Sequence, residues 1–257
     1  GARLYHLTSA GHPELSGKIF HEKDIPVQVA LGNYDFGICG LDWIQELMVK
    51  YPGSNLVKVK DFGYGRHALI LAASRFSPFS TLEAIQKSAK VISIASEYPN
   101  LAESVALNCR FKRFNIFPVW GAAEIYPPEN ADLVLLSDKN AAGISGNIIE
   151  ITRILDSSAC LIANKSSLEI KDLSEILNSL CLNSEKRPLR GSNKKSGTRA
   201  KDGLRPAAII SEDTLHLALP DGHQQKHMVK VLNRAAIKIS DYPSESGNRR
   251  PEIGLPG

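Results

Sequence analysis

A polar segment follows an apolar one near the middle of the chain, and its residue types suit the binding of a phosphate. Residues 133–136 have the composition of a buried strand, and the chain then continues through Ser, Asp, Lys and Asn into a stretch with two glycines. Hydroxyls, an ammonium group and the backbone amides of small residues can bind an anion at the end of a strand. The sequence therefore predicts a phosphate-binding loop, and the alternative is an ordinary surface loop. The predicted loop residues are Ser137, Asp138, Lys139, Asn140, Gly143, Ser145 and Gly146.

Two other stretches offer backbone amides to an anion. In residues 98–100 a proline stands where a helix is predicted to begin, and the amides of such a helix start are free. In residues 121–124 three small residues follow a predicted strand and lead to a glutamate. The alternative for the first stretch is that it only begins the helix. The candidates are Tyr98, Pro99, Asn100, Gly121, Ala122, Ala123 and Glu124.

The composition is that of an ordinary globular protein. Of the 257 residues, 43% are hydrophobic and 23% are charged. No stretch approaches the roughly 18 consecutive apolar residues of a membrane span, and the first residues lack the apolar run of a signal peptide. We therefore expect a cytoplasmic protein with no membrane association. Cysteine and histidine residues do not show the spacing of metal ligands, so we predict no metal site formed by the chain alone.

One segment carries the positive charge of the chain. Residues 184–205 contain eight basic and two acidic residues, a net charge of +6; since the whole chain has +4, the remainder has −2. The segment is rich in Gly, Ser and Lys and has almost no apolar residues, which is typical of a flexible linker. Because no aromatic residue stands among the charges, a solvated linker is favoured over binding to nucleic acid. We predict the linker at residues 184–203.

Strand and helix patterns alternate along the chain, which predicts an α/β fold with two lobes and a cleft between them. At least four predicted strands end in polar loops that contain glycine. The predicted strands are 36–39, 56–59, 67–73, 91–95, 114–119, 133–136, 148–155, 159–163, 215–219 and 238–239, and the predicted helices are 25–32, 41–50, 81–88, 101–107, 167–180 and 227–236. Residues 6–17 are predicted to be rich in turns.

Five motifs follow one another within residues 18–180. They are D-I-P-V-Q-V-A-L-G-N-Y-D-F-G-I-C-G-L-D, K-D-F-G-Y-G-R-H-A-L-I-L-A, I-A-S-E-Y-P-N-L-A, G-A-A-E with A-D-L-V shortly after it, and D-S-S-A-C-L-I-A-N. In this order they resemble the ATP phosphoribosyltransferase of histidine biosynthesis. Each motif is short, and the shared order is what makes the resemblance specific.

The resemblance implies a two-lobed fold of the periplasmic-binding-protein type, with the active site in the cleft. Lobe I would comprise residues 1–88 together with 165–183 and 204–257. Lobe II, which would bind the phosphoribosyl group, would comprise residues 89–164.

The resemblance also implies a reaction and its partners. The adenine N1 of ATP attacks the anomeric carbon of phosphoribosyl pyrophosphate, and pyrophosphate leaves while Mg²⁺ bridges phosphates. Positioning and electrostatic stabilisation would carry most of the catalysis. The short form of the family works with a histidyl-tRNA-synthetase-like regulatory subunit, so we expect a homo-oligomer or a hetero-oligomer with such a subunit. The alternatives are a non-catalytic regulatory family member and a two-lobed protein that binds a small anion.

Residues 215–223, L-H-L-A-L-P-D-G-H, resemble the beginning of that family although they lie late in this chain. The chain therefore reads as a circular permutation, a rearrangement that domains with adjacent termini tolerate. It predicts that Gly1 and Gly257 lie close together. The turn of Asp221, Gly222 and His223 would then belong to the substrate site.

The resemblance assigns roles to residues outside the loops as well. It implies catalytic roles for Arg66, Glu124 and Lys139 and substrate contacts at Gly40 and Asp42. The alternative for Asp42 is that it only caps a helix.

Several positions depart from the family pattern, and each departure removes a cation or adds an anion where phosphate is expected. A lost cation removes a charge-assisted phosphate contact. The positions are Asp138 in the phosphate loop, Asp221 and His223 in the turn, and Ala68 where the family often has arginine.

Overall fold

Two β-sheets with helices packed on them make up the described part of the protein. The structure is a computed structural model that describes residues 6–8, 14–139, 147–182, 215–220 and 224–237. Its strands are β1 His6–Thr8, β2 Leu15–Phe20, β3 Phe36–Gly40, β4 Leu56–Asp61, β5 His67–Ser74, β6 Ile92–Ser96, β7 Phe114–Pro118, β8 Leu133–Ser137, β9 Ile148–Ser157, β10 Ala159–Asn164 and β11 Leu215–Pro220. Its helices are α1 Ile25–Ala30, α2 Leu41–Lys50, α3 Leu82–Lys87, α4 Pro99–Asn108, α5 Lys165–Ile170, α6 Ser174–Leu182 and α7 Gln225–Arg234, with 3₁₀ turns at Glu22–Asp24 and Ala123–Ile125.

The first sheet has the strand order β1-β2-β11-β3-β10-β4. β11 pairs in parallel with both β2 and β3, whereas β10 pairs antiparallel with β3 and β4. Residues of α6 and α7 pack on this sheet in one buried cluster that includes Phe36, Ile38 and Leu217. A strand from late in the chain therefore forms part of the middle of this sheet.

The prediction of turns is wrong for residues 6–8 and 15–17, which form strands, and residues 9–13 lie outside the described part of the chain. β1 pairs antiparallel with β2, from His6 opposite Lys18 to Thr8 opposite Ser16. In β2 the inward positions are Leu15, Gly17 and Ile19. A glycine at the middle inward position weakens the alternating apolar signal by which a strand is recognised.

The second sheet has the strand order β7-β6-β8-β5-β9. β6 pairs in parallel with β7 and β8, and β5 pairs antiparallel with β8 and β9. The carboxyl ends of the three parallel strands therefore meet at one edge, which also holds the first residue of β5 and the last of β9, since His67 pairs with Ser157. Loops at such an edge are well placed to form a binding site. The two sheets and their helices confirm the predicted two-lobed α/β fold.

The boundary that the sequence placed at residue 88 does not match the pairing of β5. That boundary assigned β5 and α3 to lobe I, but β5 pairs only within the second sheet among the described strands, and Ile85 of α3 packs in the second sheet's core. The chain passes to the second sheet through residues 62–66 and returns at Ser158. An apolar pattern identifies a strand but does not identify its partners.

The helix predicted at residues 167–180 is two helices. Lys171 has extended backbone (φ −109°, ψ 143°), and the Ser174 amide donates to Asp172 Oδ1 over 3.0 Å. Such a local side-chain bond competes with a continuous helix. The apolar side chains of Ile176 and Leu180 in the second of these helices are buried.

Three predictions fall outside the described residues. They are the linker at 184–203, the strand at 238–239 and the proximity of Gly1 and Gly257. In the part of the chain that the structure describes, no helix combines the length and the apolar character needed to cross a membrane.

Candidate functional site

A cleft of about 710 Å³ lies beside the two places where the chain crosses between the sheets. It is lined by Asp61, Phe62, Gly63, Arg66, His67, Asp138, Arg153, Asp156, Ser157 and Ser158. Of the predicted site residues, Arg66 and Asp138 line the cleft. Lys139 lies beside it, because its Nζ donates to the Gly65 carbonyl oxygen over 3.4 Å.

The segment between β4 and β5 forms one wall of the cleft through its own hydrogen bonds. The Gly63 amide donates to Asp61 Oδ1 (2.7 Å), and Arg66 Nε donates to the Gly63 carbonyl (2.9 Å). Gly63 and Gly65 both have φ +67°, a left-handed conformation that glycine adopts without strain. The segment therefore has a defined path that sets the direction of the Arg66 side chain.

The side chain of Asp42 in α2 contacts one residue each from β5, β9 and the start of α4. Its carboxylate accepts hydrogen bonds from the Tyr98 hydroxyl (2.6 Å) and the Ser157 hydroxyl (2.9 Å), and His67 Nε2 lies 3.3 Å from Oδ2. The Asp42 side chain is 3% exposed and that of His67 is 6% exposed. Asp42 is therefore a buried connector between the sheets, and its carboxylate is already occupied by protein donors.

Gly40 makes this position of the carboxylate possible. A Cβ atom on Gly40 would collide with Oδ1 of Asp42. The glycine predicted as a substrate contact is thus needed to accommodate Asp42 at the first turn of α2.

The Asp42 and His67 side chains are placed to form an ion pair when the imidazole is protonated. Burial alone would raise the pKa of the Asp42 carboxyl, but the hydrogen bond and charge of His67, with the hydrogen bonds of Tyr98 and Ser157, lower this pKa below its ordinary value. Burial opposes the charge of His67, yet the hydrogen bond and charge of Asp42 raise the pKa of the imidazole above its ordinary value. Ser157 donates to Asp42 and not to His67, so this group is not a nucleophilic triad.

The helix start at residues 98–100 does not have free amides. The carboxylate of Glu46 in α2 accepts from the amides of Asn100 (2.9 Å) and Leu101 (2.8 Å) and from Asn100 Nδ2 (2.7 Å). Tyr98 is buried, and its ring packs on Trp43 with centroids 4.2 Å apart. The proline signal predicted the helix start correctly. The amides that were expected to bind an external anion instead donate to the Glu46 carboxylate.

The stretch at residues 121–124 lies beside a second carboxylate. Gly121 and Ala122 have left-handed backbone (φ +111° and +51°), and the carboxylate of Glu97, the residue after β6, lies near Gly121. Burial and the charge of Glu124 raise the pKa of Glu97. Two neighbouring carboxylates disfavour a phosphate here and suit the hydroxyl groups of a sugar, which donate hydrogen bonds.

Most polar residues of the cleft were not predicted from the sequence; they are Asp61, His67, Arg153, Asp156, Ser157 and Ser158. Gln224, which lies close to Gly65, was also missed, although it directly follows the prediction at residues 221–223. His67 follows Arg66, and its spacing from other polar residues gave no signal. Gln224 is 1% exposed and donates to Glu22 Oε2 over 3.2 Å. The predicted residues Asp221, Gly222 and His223, like Asn140, Gly143, Ser145 and Gly146, lie outside the described residues. Ser137 ends β8 and accepts from the Lys139 amide over 3.3 Å.

Ala68 does not offer a position for a cation at the cleft. It is fully buried in an apolar cluster on the far side of β5 from His67. Among the described residues, Arg66, Lys139 and Arg153 carry positive charge near the cleft, as does His67 when it is protonated; Arg153 Nε donates to Asp156.

The chain is similar to known proteins over most of the described core. A family model described as "HisG: ATP phosphoribosyltransferase" matches residues 21–183. The ATP phosphoribosyltransferase of Methanocaldococcus jannaschii is 34% identical over 164 residues, which are 62% of this chain and 54% of that protein. This chain spans about half the length of the curated relatives it matches.

Two solved structures show weaker similarity. The Thermotoga maritima structure described as "ATP phosphoribosyl transferase (HisG:HisZ) complex" has 18% identity and a TM-score of 0.47, covering 60% of this chain and 71% of that one. The periplasmic aliphatic sulphonate binding protein SsuA from Escherichia coli has 17% identity and a TM-score of 0.43, covering 62% of this chain and 57% of that one.

Proposed function

Because the chain belongs to the ATP phosphoribosyltransferase family, we propose that it transfers the phosphoribosyl group of phosphoribosyl pyrophosphate to N1 of ATP and releases pyrophosphate. This would be the first step of histidine biosynthesis. The observation that carries the proposal is the placement of Arg66 and Lys139 at the cleft, one on the β4–β5 segment and one after β8. Two cations from different elements suit a polyphosphate, which carries several charges.

Different residues at the edge of the second sheet bind different parts of the substrate. Arg66 and Lys139 bind phosphates, and the Ser137 hydroxyl adds a neutral donor. Glu124 accepts hydrogen bonds from ribose hydroxyls, and Glu97 stands beside it. The protein forms no covalent bond in this scheme, so its contribution is to hold N1 of adenine in line with the anomeric carbon and to stabilise the departing charge.

Mg²⁺ fits this site as a companion of the substrate phosphates. Among the described residues no group of three or more His, Cys, Asp or Glu side chains is arranged to hold a metal. Asp138 lines the cleft, and its Oδ1 is buried without a hydrogen-bond partner in the described part of the chain. Mg²⁺ commonly takes one or two carboxylates together with substrate phosphates, so Asp138 would hold it. When bound, the ion supplies charge neutralisation on the pyrophosphate.

We also propose that the segments of this chain are circularly permuted relative to the family. β11 lies between β2 and β3 and is parallel to both, which suits the first strand of an α/β lobe. We propose that residues 215–237 are the displaced beginning of the family fold. A rotated chain that starts at residue 204 and joins Gly257 to Gly1 should then fold with an unchanged melting temperature. Failure of that chain to fold would contradict a permutation.

Partners and location belong to the same proposal. A histidyl-tRNA-synthetase-like regulatory subunit, or a second copy of this chain, would complete the assembly, and the reaction would take place in the cytoplasm. Analytical ultracentrifugation of the purified chain tests whether a second copy of this chain completes the assembly, since a monomer at all concentrations would exclude a stable homo-oligomer.

Turnover with both substrates tests the proposed reaction. Purified protein, ATP, phosphoribosyl pyrophosphate and Mg²⁺ should give pyrophosphate and the adduct in equal amounts by mass spectrometry, and removal of Mg²⁺ with a chelator should stop the reaction. If neither turnover nor phosphoribosyl pyrophosphate binding is found, the chain is instead a family member that has kept the fold and lost its phosphate ligands. The buried Ala68, at a position where the family often has arginine, is the observation that favours this second function.

A further inference from the structure

Both ring nitrogens of His67 face hydrogen-bond acceptors. Nε2 lies 3.3 Å from Asp42 Oδ2, and Nδ1 lies 3.0 Å from the Gly65 carbonyl oxygen. A carboxylate and a carbonyl oxygen accept hydrogen bonds and do not donate them. Both nitrogens must therefore carry a proton if both contacts are hydrogen bonds, which is the imidazolium form.

The Gly65 carbonyl also contacts one cation of the cleft, and Gly65 precedes another in the sequence. Lys139 Nζ donates to this carbonyl, and the neighbouring Arg66 donates back to the Gly63 carbonyl. The glycines of this segment have few conformational restrictions of their own, so its path depends on the contacts at its ends. His67 thus fixes a group that contacts one cation directly and adjoins the other in sequence.

Loss of one proton from His67 would release one of its two contacts. A neutral ring has a single N–H, and the buried Asp42 carboxylate has the greater need for it, since an unpaired buried charge costs more than an unpaired carbonyl. The proton would stay on Nε2, and Nδ1 would then turn a lone pair toward the Gly65 carbonyl. Two acceptors facing each other repel, so the segment that carries Arg66 would move.

We propose that His67 is a positioning residue of the cleft, and that its doubly protonated form holds the Gly65 carbonyl and thereby Arg66 and Lys139 in the arrangement that binds pyrophosphate. This inference rests on the proposed function, since it takes the cleft to be the phosphate site. His67 itself makes no contact with the substrate in this account.

Several charged groups act on His67 from the elements around it. Asp42 from α2 favours its charge, and Lys139 after β8 opposes it. The Tyr98 hydroxyl at the start of α4 donates to the same carboxylate. The other charged residues that line the cleft are Asp61, Arg66, Asp138, Arg153 and Asp156. The net effect is a raised pKa for His67, so the imidazolium persists above the pH at which a free histidine loses its charge, about 6.5.

The test compares binding of inorganic pyrophosphate, with Mg²⁺, to the unaltered protein and to His67→Gln between pH 6 and pH 9. Glutamine keeps one donor for Asp42 but has no charge. The ratio of the two dissociation constants, measured by calorimetry, cancels the ionisation of pyrophosphate itself. The charge of His67 is followed separately by NMR of its ring Cε1–H, and the spectrum of the variant identifies the signal.

We expect the variant to bind pyrophosphate about tenfold more weakly wherever NMR shows His67 charged, which corresponds to ~1.4 kcal/mol. The ratio of the two dissociation constants should fall toward one as His67 loses its proton. The midpoint of this fall should equal the midpoint of the His67 titration followed by NMR. If His67 stays charged to pH 9, the ratio should stay near ten. Ser157→Ala is the matched control, because it removes another donor to Asp42 and leaves the imidazolium in place; its ratio should not change with pH.

The possible outcomes separate this inference from the proposed function. A ratio that stays constant while His67 titrates would overturn the positioning role, and so would a neutral His67 at pH 6. Pyrophosphate binding with the expected pH dependence, but no turnover, would count against the proposed reaction and leave this inference standing. Absence of pyrophosphate binding by the unaltered protein would overturn both.

Discussion

Replacing Asp42 by asparagine removes one buried charge and changes the shape of the side chain little. Asp42 accepts from Tyr98, Ser157 and His67, and its side chain is 3% exposed. In the variant the imidazolium of His67 loses its counter-charge and faces an amide. The effect on stability should therefore depend on whether His67 is charged.

The pH range of the effect follows from the two pKa shifts. The pKa of His67 is raised in the folded protein, so its contribution is complete below the unfolded value of about 6.5 and is lost as the pH rises through the folded value. The pKa of Asp42 is lowered, so its contribution is complete above about 3.9 and is lost as the pH falls through the folded value. The pair contributes fully between about pH 4 and pH 6.5.

The destabilisation caused by Asp42→Asn differs between pH values at which His67 is charged and those at which it is neutral. At pH 6, Asp42→Asn leaves a buried cation without its partner, and such a loss costs about 3–5 kcal/mol. Once His67 is neutral, the introduced side-chain amide can donate to Nε2, and the main loss is that of charge from the bonds to Tyr98 and Ser157, about 1–2 kcal/mol. We therefore expect a destabilisation larger by about 2 kcal/mol at pH 6 than at a pH where NMR shows His67 to be neutral.

Urea unfolding at pH 6 and pH 9 measures both values by linear extrapolation. Tyr98→Phe is the control, because it removes one hydrogen bond to Asp42 without changing any charge, and its cost should be similar at the two pH values. When NMR shows His67 charged at pH 6 and neutral at pH 9, equal destabilisation by Asp42→Asn at both pH values, or a larger one at pH 9, would refute the ion pair.

Four further predictions concern single contacts. Glu46→Gln should lower the free energy of unfolding by about 1–2 kcal/mol, because two amides at the start of α4 lose a charged acceptor; an unchanged urea midpoint would contradict this role. Gly40→Ala should cost at least about 2 kcal/mol in the same assay, since the added methyl collides with the Asp42 carboxylate. Thr81→Ala should cost about 1 kcal/mol, because the Thr81 hydroxyl caps α3; Ser80→Ala is its neighbouring control. Lys139→Ala should weaken binding of phosphoribosyl pyrophosphate about tenfold, whereas the exposed Lys87→Ala should not, and equal affinities for all three proteins would remove Lys139 from the site.

Local patterns predicted most elements of the fold because those patterns depend on residues close in sequence. The helix at Leu41–Lys50 matches its predicted bounds, and the helix predicted to begin at residue 81 has Thr81 as its cap. Proline at position 99 correctly indicated a helix start. These features follow from apolar spacing and capping chemistry, which a short segment contains by itself.

The assignments that failed depend on contacts between distant residues. Nothing near Pro99 indicates that Glu46 would occupy the amides of α4, 54 residues away from Asn100. Nothing near His67 indicates that Asp42 and the end of β9 would surround it, because the strand pairing of β5 brings them together. The β1–β2 pair was missed since Gly17 interrupts its apolar alternation.

The proposed transfer of the phosphoribosyl group to N1 of ATP is tested most directly by identifying the bond that forms between the two substrates. ATP labelled with ¹⁵N at adenine N1 is incubated with phosphoribosyl pyrophosphate, Mg²⁺ and the purified protein, and the product is examined by NMR. We expect a coupling between the labelled nitrogen and the anomeric carbon of the added ribose, together with release of one pyrophosphate for each adduct. Recovery of unmodified ATP, or attachment of the ribose at another atom, would contradict the proposed transfer.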